Sequence, residues 1–153
     1  MTVNVKKILV IGFGNPSRGD DGLGPAIAER LEQENLQNVT VDSDYQLTVE
    51  DSAEAAKYDI VIFADASVNC DEPFSFKALA AKESTSFSSH SVEPAEVMGL
   101  AEKLFKSKAQ PFMLEIRGYN FEMYEEKFTD KAKENLEKAW DFLKNSLIKE
   151  FQQ

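Results

Sequence analysis

Thiol and imidazole side chains are nearly absent from this chain: it has one cysteine, Cys70, and one histidine, His90. A single thiol excludes an internal disulfide framework and fits a reducing, cytoplasmic setting. The His-Glu-x-x-His pair of the familiar zinc proteases is missing, and so is the Gly-x-Ser-x-Gly elbow of the serine hydrolases. No apolar run approaches the roughly 20 residues that a membrane span needs. The stretch Lys6-Lys7-Ile8-Leu9-Val10-Ile11 is too short for a signal peptide and stops at Gly12. Cations are scarce as well, 17 Lys and Arg against 27 Asp and Glu, and the formal net charge of −10 argues against nucleic acid or an anionic membrane as partner. Repeats, linkers and low-complexity tracts are lacking, so residues 1–153 read as one domain, long enough to bury a substantial core.

What is present is an alternation of strands and helices. Ile8 to Phe13 is a continuous apolar run stopped by glycines, as in a strand buried on both faces. Helical spacing follows at Leu23, Ile27, Ala28 and Leu31, then a strand from Val39 to Tyr45. Thr48 to Asp51 resembles a capping box opening a helix to about Lys57. Tyr58 to Ala64 is a second buried strand, and Phe74 to Leu79 alternates as an edge or antiparallel strand does. A serine-rich loop spans Lys82 to Ser91. Pro94 opens a helix with apolar positions at Val97, Leu100, Ala101, Leu104 and Phe105. Pro111 to Phe121 reads as a last strand, and a long amphipathic helix begins at Thr129. This order implies an α/β sheet covered by helices on both faces.

Three potential metal ligands fall at or near the ends of these strands. The first is the acidic pair Asp20 and Asp21 in Gly-Phe-Gly-Asn-Pro-Ser-Arg-Gly-Asp-Asp-Gly, residues 12 to 22. A dinucleotide fingerprint needs a glycine where Ser17 stands, and two carboxylates at the helix entry repel a phosphate. An aspartate there can simply cap the helix, but a cap needs one side chain, not two. The second ligand is Asp65, closing Ile-Val-Ile-Phe-Ala-Asp; by itself it also suits a turn. The third is His90, just before a helix N-terminus, where the dipole favours the neutral ring that ligation requires. In an open parallel sheet, such segments converge on one crevice beyond the carboxyl ends of the strands. Two hard carboxylates and an imidazole suit a divalent metal. Cys70 reads as a small packed side chain.

These motifs, in this order and spacing, resemble the nickel–iron hydrogenase maturation protease family over nearly the whole chain. The first motif, with both aspartates and the glycines after them, is the specific one; Phe-Ala-Asp-Ala and Ser-Ser-His-Ser-Val-Glu-Pro gain weight from following it. The resemblance implies a twisted, mostly parallel five-stranded sheet in a three-layer α/β/α fold. It implies an endopeptidase that removes the C-terminal extension of the large-subunit precursor after nickel has been inserted. Its metal-binding residues carry over to Asp21, Asp65 and His90, which would also be the catalytic residues. Some members have Glu where this chain has Asp21, so the shorter side chain requires a closer approach of the loop. The expected partner is the precursor, which supplies the nickel; no organic cofactor, nucleic acid or membrane is expected, and the chain is expected to act as a monomer. A non-enzymatic metal-binding chaperone of the same subunit and a different metallohydrolase are the alternatives.

Overall fold

The computed structural model describes residues 5–83, 92–122 and 124–151, with the side chain of Leu147 excepted. Five strands form one sheet: β1 (Ile8–Phe13), β2 (Val39–Asp44), β3 (Ile60–Ser67), β4 (Phe74–Ala78) and β5 (Gln110–Arg117). Their spatial order is β2-β1-β3-β5-β4. All neighbours are parallel except β4, which pairs antiparallel with β5 at the edge. The alternating pattern of Phe74 to Leu79 marked that edge correctly.

The central strands are apolar on both faces because both faces are covered. On one side α1 (Leu23–Glu32) and α4 (Asp130–Asp141) bury Ile27, Leu31, Ala139 and Trp140 against Ile8, Val10, Ile60 and Ile62. On the other, α2 (Asp51–Ala55) and α3 (Pro94–Phe105) bury Ala55, Val97, Met98 and Ala101 against Leu9, Ile11, Val61 and Phe63. The expected three-layer α/β/α arrangement is therefore observed. At about 25 cal/mol per Å², two such apolar layers supply the main driving force for folding.

The helix starts follow local chemistry. Pro94 sits in the first turn of α3, where Glu93 and Glu96 form a reciprocal capping box. Thr129 caps α4 by accepting the Ala132 N–H at 3.2 Å. At α2 the Asp51 carboxylate reaches back to the Thr48 N–H at 2.8 Å. Some expectations about these elements differ from the structure. In α3, Leu104 and Phe105 are 61% and 49% exposed, because the buried stripe runs through Met98 instead. The last strand ends at Arg117, since Tyr119 and Asn120 give their N–H groups to Asp20 instead of a ladder. After Asp141 the last helix widens into a π-helical stretch (Phe142–Ile148), whose Phe142 ring packs on Phe74 and Phe76.

Candidate functional site

Chain order reverses at β1: the connection through α1 leads to β2 on one side, while β3 lies on the other. The crevice beyond the carboxyl ends of β1 and β3 is therefore the topological switch point, where open α/β sheets bind ligands. The loop after β1 and Asp65 of β3 meet there, because Gly12 and Ala64 are paired in register.

The loop is folded back on itself by its glycines. Gly14 has φ of 139°, and a Cβ there would collide with the Asp21 carbonyl. Asp21 lies in a 3₁₀ turn (Gly19–Gly22), and its Oδ2 accepts the Asn15 N–H at 2.9 Å. Asn15 Oδ1 in turn accepts the Ser17 N–H at 2.9 Å. One Asp21 oxygen is thus committed to the loop. Gly24, at the start of α1, has no room for a side chain against the carbonyls of Phe13 and Ala64, so the helix enters close to both strands.

Asp20 and Asp21 have separate roles. Asp20 is fully buried, and its carboxylate accepts four hydrogen bonds. They come from Tyr119 N at 2.8 Å, Asn120 N at 3.1 Å, Thr129 N at 2.9 Å and Thr129 Oγ1 at 2.9 Å. Asp20 therefore fastens the turn to the segment between β5 and α4 and leaves Asp21 for other chemistry. The adjacent aspartates and Thr129 were visible in the sequence, but nothing local could connect residues about a hundred positions apart.

Asp65 was expected at the strand's end and instead lies within it. β3 continues to Ser67 because β5 also runs on, pairing Asp65 with Glu115 and Ser67 with Arg117. By strand alternation Asp65 and Glu115 share the face that carries Phe63 and Met113. Asp65 Oδ1 accepts the Ala66 N–H at 2.8 Å. Burial, reinforced by the negative charges of Asp21 and Glu115, pushes the Asp65 carboxyl up to about 7. Asp21 and Asp65 are therefore close enough to influence each other. Glu115 is a neighbour that motif reading passed over; its signal was the alternation of Glu115 and Arg117 with apolar residues along β5. Arg117 donates from Nη1 to the Cys70 carbonyl at 2.8 Å, and burial pushes the Cys70 thiol up, which keeps it protonated at neutral pH.

His90 lies outside the described residues. Val92, two residues on, is buried in the core layer that carries Phe63. Among the described residues no three His, Cys, Asp or Glu side chains are grouped to hold a metal. Asp21 and Asp65 are two hard oxygen donors at one crevice, and a metal held between them would need a third donor from beyond the described residues or from a bound partner. Beside the Asp21 loop a cleft of about 340 Å³ opens between Gly14, Pro16, Asp44 and Tyr45. A larger apolar groove, about 660 Å³, lies between α2 and α3 along Val49, Leu100 and Leu104 and includes neither carboxylate. No helix of the described residues is long and apolar enough to cross a membrane.

No family model matches the sequence, and no curated protein matches it either. Solved structures do: the chain has the fold of the hydrogenase maturation proteases. It is similar to the NiFe hydrogenase maturation protease HycI from Thermococcus kodakarensis KOD1, with a TM-score of 0.74, 21% identity and 94% of each chain covered. The hydrogenase 2 maturation peptidase from Thaumarchaeota archaeon SCGC_AB-539-E09 gives a TM-score of 0.68 at 19% identity, covering 93% of this chain and 98% of that one. The hydrogenase maturating endopeptidase HybD from E. coli gives 0.66 at 21% identity, covering 94% and 93%.

Proposed function

We propose that this chain is a cytoplasmic endopeptidase that removes the C-terminal extension from the nickel-loaded precursor of a nickel–iron hydrogenase large subunit. The observation that carries the reading is the meeting of Asp21 and Asp65 at the switch-point crevice of this fold. In the proposal, nickel is part of the substrate, and Asp21, Asp65 and His90 complete its coordination as the tail enters. Docking through the metal places the scissile peptide bond beside the carboxylates, so metal content licenses the cut. Asp21 is held by Asn15 and offers its remaining oxygen. Asp65, raised to about 7 in the metal-free protein, is matched to exchanging a proton near neutral pH as the nickel-bearing tail arrives. The same match means that Asp65 must shed a proton before it can act as an anionic ligand.

The test is to incubate the protein with nickel-loaded and nickel-free precursor from the same cell and follow intact mass, with a His90→Ala variant alongside. Loss of one discrete C-terminal peptide from loaded precursor only, abolished in the variant, is the expected result. Equal cleavage of metal-free precursor would sink the licensing idea. A stable complex with unchanged mass would convert the protein into a chaperone.

A further inference from the structure

Charge is distributed unequally between the two ends of the sheet. The connections at the carboxyl ends of the strands (residues 14–22, 45–50, 68–73 and 118–129) carry eight carboxylates and two cations, Arg18 and Lys127. Only Asp20 of the eight is fully buried. The connections at the opposite end (5–7, 33–38, 56–59 and 106–109) carry five lysines and two carboxylates. The N-termini of α1 and α4 face the acidic end and contribute roughly half a positive charge each, which leaves the excess standing.

The same acidic end displays apolar surface. Of the large exposed hydrophobic side chains, Tyr45 (69%), Val49, Val68, Tyr119 (37%) and Tyr124 (89%) all belong to those four connections. Tyrosine with a polar tip is favoured at protein interfaces. Tyr119 is also already ordered. Its hydroxyl donates to the Glu72 carboxylate and accepts from Asn135 Nδ2 at 2.9 Å, and Arg117 and Lys131 flank its ring. Lys131 ion-pairs with Glu72 at 2.7 Å, closing the cage. Such an anchor loses little rotamer freedom on binding.

We infer that the acidic, tyrosine-bearing rim around the Asp21–Asp65 crevice is a docking face for a folded partner whose surface is rich in Lys and Arg around its C-terminal tail. The inference rests on the protease reading for the partner's identity; its chemistry comes from the charge asymmetry. Recognition would be of the folded body as well as of the tail, with the acidic rim steering encounter and the tyrosines holding the complex. The basic end of the sheet would face away.

The experiment follows association of nickel-loaded precursor with the protein, and cleavage in parallel, across ionic strength. Raising salt from about 20 to about 300 mM is expected to lower the association rate roughly tenfold or more. Reversing three exposed rim charges together, Asp71→Lys, Glu122→Lys and Glu126→Lys, is expected to do the same at low salt. Reversal at the opposite end, Lys6→Glu, Lys7→Glu and Lys108→Glu, is expected to change it less than about threefold. Circular dichroism of both triple variants checks folding. A wild type that cuts precursor at rates indifferent to salt and to rim reversal overturns the docking face and leaves the protease reading intact. Equal and opposite effects of the two triple variants would assign steering to net charge and also overturn it. Rim-dependent binding without cleavage supports the face and removes the protease.

Discussion

Asp65 should make the metal-free protein less stable than it need be, and Asp65→Asn tests this. In the unfolded chain an aspartate titrates near 3.9; in the folded protein burial and its acidic neighbours lift Asp65 to about 7. Below about pH 4 both states hold the proton and the residue is neutral in its effect. Between about pH 4 and 7 the unfolded state ionises while the folded state does not, so stability falls as pH rises. Above 7 the loss is complete. Three units at about 1.4 kcal/mol each set a ceiling of about 4 kcal/mol. Part of the side chain still meets water, so about 2 kcal/mol is the reasonable expectation. Asparagine keeps the oxygen that accepts the Ala66 N–H and cannot ionise. The variant should therefore melt about 4–8 °C above wild type near pH 8, with the gap closing by about pH 4. Thermal denaturation in chelating buffer across that range measures it. A gap that does not change with pH, or no gap near pH 8, refutes the reasoning.

Other expectations follow from the same geometry. Asp20→Ala strips four hydrogen bonds and should cost about 3–5 kcal/mol in urea denaturation, whereas Asp21→Ala, losing one, should cost about 1. Equal costs would contradict the division of labour. Glu115→Gln removes one of the charges beside Asp65 and should bring the Asp65 titration down, followed by carboxyl carbon NMR; an unmoved titration would show the pair to be uncoupled. Gly14→Ala forces a side chain into a positive-φ site against Asp21 and should cost more than about 2 kcal/mol. Thr129→Ala loses both a helix cap and a partner of Asp20 and should cost about 1–2 kcal/mol by the same assay.

Most of the fold was legible because its signals are local. The apolar run ending at Gly12, the spacing from Leu23 to Leu31 and Pro94 before its helix each name an element without reference to the rest of the chain. The departures arise where partners decide. Asp65 is in a strand because β5 extends far enough to pair with it, and Leu104 is exposed because packing chose the stripe through Met98. The loop carrying Asp21 was readable as a motif, but which aspartate was free and which was structural depended on Tyr119, Asn120 and Thr129. Glu115 could be found only from strand register, which one sequence does not print.

The Asp20 attachment has a consequence for the order in which the molecule is made. Synthesis runs from the N-terminus, and domains commonly begin to organise as they emerge. The turn that presents Asp21 is secured by a residue 109 positions later, Thr129. A nascent chain can build β1, β2 and β3 with the crevice between them well before that residue exists, but the turn has nothing to fasten to. The turn beneath Asp21 is thus fastened only after Thr129 has been made, when the first three strands of the sheet can already be in place. Unfinished chains are denied a finished site by connectivity alone.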